Sequence, residues 1–323
     1  MRYRALGKTG FEISDVACGL WGMSGWSGSD DAESLHALQL AADLGCNFFD
    51  TAWAYGEGKS DGFLGEILAA NPGKRLYSAS KIPPKNRKWP ARAAYDYNDV
   101  FPADHVFEHA GKIRRALGVD TIDLLQFHVW DDSWTDRPEF RSTVEKLKRD
   151  RIVHAFGLSL NRWEPANGIR ALRTGLVDAV QVIYNLFDQN PEDELFPVCQ
   201  ELNVGVIARV PLDEGSLGGK MTRATTFPEG DWRKGYFNPD NLRATMDRID
   251  RLRADLPPEI SLPEAALRFI LAHPAVSTII VGMRRDVHVR GNLALSDPGG
   301  LDAGLLERLR RHRWERKPTP WSN

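Results

Sequence analysis

The chain has 323 residues, 42% of them hydrophobic and 27% charged, with a formal net charge of −2. That length can bury a large core without disulfide or metal support, and the composition is neither disordered nor fibrous. The near-neutral balance offers no basic excess for nucleic acid or anionic lipid, and no apolar run approaches the roughly 18 residues of a membrane span.

The chain opens with Tyr3 to Leu6 and Phe11 to Ile13 on either side of Gly7 and Gly10, a hairpin pattern. Eight short apolar runs follow, each paired with a helical stretch. Val16–Cys18 leads to Ala32–Leu44, with Asp30 and Asp31 as candidate caps. Asn47–Asp50 leads to Phe63–Ala70, Leu76–Ser80 to Ala103–Leu117, Ile122–His128 to Glu139–Lys148, Val153–Ser159 to Trp163–Thr174, and Ala179–Tyr184 to Glu192–Leu202. After Val204–Val210 comes a Gly-, Thr- and Asp-rich insert, Asp213–Pro239, then helices over Asn241–Ala254 and Pro263–His273. A long loop in a compact fold is usually functional. Val276–Gly282 and Asp286–Leu295 complete the series.

Most of the apolar runs are continuous rather than alternating, as parallel strands covered on both faces must be. Eight such strands alternating with helices predict an α/β fold: one closed (β/α)8 TIM barrel over residues 1–323, its bottom plugged by the hairpin, with a long loop between strands seven and eight. The three cysteines, Cys18, Cys46 and Cys199, match neither a disulfide framework nor a zinc spacing and fit a reducing compartment, and Cys18 and Cys46, in apolar surroundings, read as small buried hydrophobes. Met1-Arg2-Tyr3-Arg4 has no apolar signal core, which predicts a cytoplasmic location. The basic run Arg308, Arg310, Arg311 and Arg313 reads as a solvated helix end.

Barrel enzymes carry their chemistry at the C-terminal strand ends. Strand two ends at Asp50, with Tyr55 just beyond, strand three at Lys81 and strand four at His128. Reducing a carbonyl requires hydride at carbon and a proton for oxygen. A tyrosine is a weak acid at neutral pH, and a nearby ammonium is expected to lower its pKa. In this reading Tyr55 is the general acid, Asp50 holds Lys81 charged, and His128 orients the substrate oxygen. Each residue alone has a plainer explanation: a cap, a surface lysine or tyrosine, a core histidine. Their fall at consecutive strand ends favours the chemical one.

Asn47-Phe48-Phe49-Asp50-Thr51-Ala52 with Tyr55-Gly56, then Ser80-Lys81 and Leu124-Leu125-Gln126-Phe127-His128, resemble the signatures of the aldo-keto reductase superfamily. The resemblance extends from Leu6-Gly7-Lys8-Thr9-Gly10 to the 282–292 segment. It implies the barrel and a reductase using NADPH or, less often, NADH. It places Ser159 and Gln181 near the nicotinamide carboxamide. Leu212, Gly215, Leu217 and Lys220 would cover the pyrophosphate, and Gly282, Arg284, His288 and Asn292 the adenosine phosphate. No Gly-x-Gly-x-x-Gly marks a Rossmann site.

Three positions depart from the family pattern. Leu160 follows Ser159, so Asn161, displaced by one, is given no role. Arg209 stands where an aromatic commonly underlies the nicotinamide, although a guanidinium plane also stacks. His288 replaces a Gln or Arg, yet Arg284 and Arg285 favour NADPH.

The ten tryptophans include Trp21, Trp26, Trp53, Trp89, Trp130 and Trp134 in or near the loops after strands one to four. An aromatic wall there, with Trp21 and Trp130 as substrate contacts, suits an apolar, aromatic or sugar-like carbonyl or alcohol. Asp131 and Asp132 either bind a polar substrate group or are solvated. Two other readings are a non-catalytic nicotinamide-binding regulatory module of the same fold and a metal-dependent barrel hydrolase. The second lacks a His-x-His or carboxylate–His cluster at a strand end.

Overall fold

The structure, a computed structural model, describes residues 1–25, 28–296 and 300–317. Two short strands, β1 (Tyr3–Ala5) and β2 (Glu12–Ser14), pair antiparallel with Tyr3 opposite Ser14. Eight strands follow: β3 (Val16–Gly19), β4 (Phe48–Asp50), β5 (Tyr77–Ile82), β6 (Ile122–Phe127), β7 (Val153–Ser159), β8 (Ala179–Ile183), β9 (Gly205–Arg209) and β10 (Thr278–Gly282). They pair in parallel and in chain order, and β10 closes the ring on β3. The fold is thus a (β/α)8 TIM barrel with an N-terminal hairpin.

Side chains alternate across a strand, so one set fills the barrel and the other faces the helices. Ala17, Phe48, Ala79, Leu124, Ala155, Ala179 and Ile207 form one buried apolar cluster with Leu6, Phe11 and Ile13 of the hairpin. The hairpin therefore stoppers the N-terminal end. Its docking depends on glycine: a Cβ on Gly7, whose φ is +51°, would lie 2.3 Å from the Gly205 nitrogen. The outward-facing side chains belong to a larger apolar cluster shared with the helices.

Helix boundaries follow local chemistry. Asp30 caps Asp31–Asp43 by accepting from the Glu33 amide, and Ser261 caps Leu262–Leu271 in the same way. The helix expected over 163–174 is confined to Ile169–Arg173, because Pro165 and Gly168 interrupt it. The insert is not structureless: it contains a 3-10 segment, Asp213–Gly218, and a short helix, Arg233–Tyr236, before the long helix Pro239–Asp255. Among the described residues no helix is long and apolar enough to cross a membrane.

Candidate active site

Two residues beyond the apolar layer, the same alternation puts a second ring of inward positions on each strand. They are Gly19, Asp50, Lys81, Gln126, Gly157, Gln181 and Arg209 on β3 to β9, with Gly282 on β10. This layer is polar where the one beneath it is apolar. Three of its members converge on the carboxylate of a fourth, Asp50. Lys81 Nζ donates to Asp50 Oδ1 at 2.6 Å and to the Thr51 carbonyl at 2.8 Å. Gln181 Nε2 donates to Asp50 Oδ2 at 2.8 Å, with Gln126 Nε2 at 3.5 Å. The Lys81 side chain is wholly buried, so its ion pair is shielded from solvent.

Lys81 Nζ lies 5.2 Å from the centroid of the Tyr55 ring, and that ring meets His128 edge-on at 5.7 Å. Tyr55, His128, Ser159, Asn161, Arg209 and the exposed Trp89 line a cavity of about 400 Å³. The structure thus brings Asp50, Tyr55, Lys81 and His128 together.

Burial opposes the charge on Lys81, but Asp50 and Tyr55 outweigh it and hold its pKa above the ordinary lysine value. Burial also pushes the Tyr55 phenol upward, and Lys81 offsets only part of this. The net direction corrects the expectation of a lowered tyrosine: the phenol keeps its proton at neutral pH. His128 is held well below its usual range by burial and by the charges of Lys81 and Arg209, so its ring is neutral. Its Nδ1 and the Arg209 Nε are buried with no hydrogen-bond partner among the described residues. Burial, with Arg162 nearby, lowers Arg209 to about 10, and its Nη2 donates to the Leu160 carbonyl at 2.9 Å.

Of the residues expected to hold a dinucleotide, Ser159 and Gln181 are register partners across β7 and β8, and both line the cavity. Leu212 is half-buried; Gly215 and Lys220 are exposed. The Leu217 side chain is fully buried in the core, where the turn from Asp213 to Gly218 points it inward, so any contact it makes to a dinucleotide would come from its backbone. Gly282 and His288 are exposed, and Asn292 is half-buried. Arg284 Nη1 donates to the Gly22 carbonyl at 3.1 Å. Burial lowers Arg284, as do the charges of Arg285 and Arg233; His288 is lowered by burial and by Lys220, Arg285 and Arg284. Arg284, Arg285 and Lys220 are thus close enough to repel a proton from one another or from His288, and such a concentration of positive charge fits a phosphate group.

The aromatic rim differs from expectation. Trp130 has no exposed surface; it packs against Phe140 and Phe127, with its Nε1 donating to Asp132 at 2.9 Å, so it cannot be a substrate wall. Trp134 is buried beside it, edge-on at 5.7 Å, and Trp53 is only half-exposed. Trp21 and Trp89 are 41% and 43% exposed. Trp21 packs on Tyr55 at 6.4 Å and on Trp232, a residue not singled out from sequence, at 5.7 Å. Trp26 lies outside the described residues. Asp132 is neither solvated nor free, since it accepts from the amides of Arg170 and Ala171; Asp131 accepts from the Ser133 amide and lines the cavity.

Sequence reasoning missed two supports. Asn161 locks the 89–93 wall by exchanging hydrogen bonds with the backbone of Ala91 at 3.1 Å. Asp61, fully buried behind Lys81, accepts from Ser80 Oγ at 2.6 Å, and burial raises it to about 6. The available signal was alternation: if Lys81 faces inward, Ser80 must face the helices.

Comparison with known proteins agrees with this architecture. The profile described as Aldo/keto reductase family matches residues 15–312. A D-threo-aldose 1-dehydrogenase from a Pseudomonas species is 30% identical over 307 residues, covering 86% of this chain and 88% of its own. The NADH-specific methylglyoxal reductase of Escherichia coli is 26% identical, covering 96% of this chain and 98% of its own. Among solved structures, an aldo-keto reductase from Bacillus halodurans in its holo form superimposes with a TM-score of 0.77 at 25% identity, covering all of both chains.

Proposed function

The chain belongs to the aldo-keto reductase family of NAD(P)H-dependent oxidoreductases, and from that premise we propose that it reduces an aldehyde or ketone with NADPH, reversibly, using Tyr55, Lys81, Asp50 and His128. The observation that carries the reading is the buried Lys81, 2.6 Å from Asp50 and 5.2 Å from the Tyr55 ring, beneath a cavity that also holds His128. When bound, the nicotinamide supplies or accepts the hydride.

Tyr55 holds the proton that the carbonyl oxygen takes up, and burial keeps that proton in place until the oxygen develops negative charge. Lys81, kept ammonium by Asp50, stabilises the phenolate left behind. A neutral His128 gives one N–H to the same oxygen and orients it without competing as an acid. The Gln181 and Gln126 amides on Asp50 keep its carboxylate aimed at the lysine.

Ser159, Gln181 and Arg209 face the cavity where a nicotinamide would lie, and Lys220, Arg284 and Arg285 supply the positive charge that favours a 2′-phosphate, with the neutral His288 beside them as a hydrogen-bond partner. The exposed Trp21 and Trp89 at the mouth suit a carbonyl compound with an apolar or aromatic body. The buried thiols Cys18, Cys46 and Cys199 support a reducing, cytoplasmic setting. The test is carbonyl-dependent oxidation of NADPH, followed at its absorbance, with Tyr55→Phe as the control. The variant is expected to lose about 10²–10⁴-fold in turnover while binding NADPH as the parent does. Turnover within a few-fold of the parent removes Tyr55 from the role.

A further inference from the structure

The turn after β9 is conformationally unusual. Val210, Asp213 and Glu214 all take positive φ, at 56°, 45° and 56°, and Gly215 follows at 100°. Side chains other than glycine rarely adopt this region, and such residues persist where surroundings hold them. Here two consecutive acids are each held by an arginine from elsewhere in the chain. Glu214 pairs with Arg162 at 2.5 Å, and Asp213 with Arg316 at 2.7 Å.

The Arg316 contact is the more deeply enclosed. Its Nε and Nη2 grip the Asp188 carboxylate at 2.8 and 2.5 Å, the same Nη2 reaches Asp213 Oδ1, and Nη1 donates to the Tyr236 hydroxyl at 2.9 Å. All three charged side chains are at most 5% exposed. The guanidinium also lies 4.7 Å from the Trp314 ring and 5.2 Å from that of Trp163. Asp188 follows β8, Asp213 follows β9, and Tyr236 belongs to the insert. One arginine near the C-terminal end of the described chain thus ties three mouth segments together. Among the described residues, the Asp213 carboxylate otherwise accepts only from Ser216 Oγ, at 2.7 Å, within its own turn. Without Arg316, two buried carboxylates would face each other with no cation between them.

We propose that Arg316 is a positioning residue for cofactor binding: it holds the 213–218 turn, through Asp213, in the shape that covers the dinucleotide. The inference rests on the reading of Leu212, Gly215 and Lys220 as the cofactor's cover. Its chemistry is specific to arginine, since the planar guanidinium grips Asp188 with two nitrogens while also reaching Asp213 and the Tyr236 hydroxyl, four directed contacts that a compact ammonium with three donors cannot reproduce.

The experiment compares the full-length parent with Arg316→Lys and Arg316→Met. NADPH affinity is measured by calorimetry, steady-state constants at saturating NADPH, and backbone hydrogen exchange on the free proteins. Arg316→Lys, which keeps the buried charge, is expected to fold, to bind NADPH at least about tenfold more weakly, and to show faster exchange over 210–220. Its kcat and its KM for the carbonyl are expected to stay within about twofold of the parent. Arg316→Met, if folded, is expected to be weaker still. NADPH affinity within twofold of the parent in a folded Arg316→Lys protein overturns the proposal alone. So does a rise in the carbonyl KM matching the loss in cofactor affinity, which marks general loosening of the mouth. A parent protein that binds neither NADPH nor NADH overturns the cofactor reading and the proposal with it.

Discussion

Replacing Lys81 with methionine separates the stabilising role of the buried ion pair from its chemical role. In the parent, Lys81 titrates above its ordinary value, so the pair's contribution is fully present below the ordinary lysine range and is lost only as pH climbs through the raised value. Neutral pH lies well inside that window. In Lys81→Met, Asp50 keeps the Gln181 amide at 2.8 Å and the Gln126 amide at 3.5 Å but loses its cation. Stranding one partner of a buried pair costs roughly 3–5 kcal/mol, and the surviving amides place this case near the lower end. An unpaired buried carboxylate is relieved by taking up a proton, so the deficit is expected to be larger at about pH 8 than at about pH 5. Urea unfolding at the two pH values measures it. Asp50→Asn/Lys81→Met removes both charges and is expected to recover most of the stability while turnover stays about 10²–10⁴-fold down. If the single variant unfolds within about 1 kcal/mol of the parent at pH 8, Asp50 is not left uncompensated and the electrostatic account fails. If the double variant regains turnover, the role of Lys81 is structural alone.

Arg284→Ala is expected to weaken NADPH binding about 10- to 100-fold and leave NADH nearly unchanged, because one charge-assisted phosphate contact is worth roughly 1.5–3 kcal/mol; equal losses for both cofactors would place Arg284 on the shared part of the dinucleotide. Asp61, raised by burial to about 6 from an ordinary 3.8, favours the folded state most below pH 3.8, and that advantage is lost as pH rises through 6. The gap corresponds to about 3 kcal/mol, so parent stability relative to Asp61→Asn is expected to fall by that order between about pH 4 and pH 7, and a flat difference would refute it. Trp130→Ala is expected to cost about 3–5 kcal/mol in unfolding experiments, as a core aromatic does, while Trp21→Ala costs under about 1 kcal/mol and acts on carbonyl KM. The reverse ranking would restore Trp130 to the mouth.

The barrel was legible in the chain because its signals are local. Continuous apolar runs such as Val153–Ser159 and Ala179–Tyr184 announce buried parallel strands within a few residues, and strand ends are where a barrel displays its chemistry. Asp50, Lys81 and His128 could therefore be located, with Tyr55 just beyond, before any packing was known. What sequence could not decide depends on which distant segments meet. Trp130 and Trp21 are the same residue type in similar loops, yet one is sealed by Phe140 and Phe127 and the other lies open beside Tyr55. The direction of the Tyr55 pKa likewise hangs on how deeply the closed barrel desolvates it, which a list of charged neighbours does not contain. Arg316 and Asp213 stand 103 positions apart, and no periodicity links them. Only closing the ring, β10 against β3, and laying the C-terminal segment across the mouth bring that cation to the turn it holds, because a buried charge is tolerated only where the tertiary structure supplies its partners.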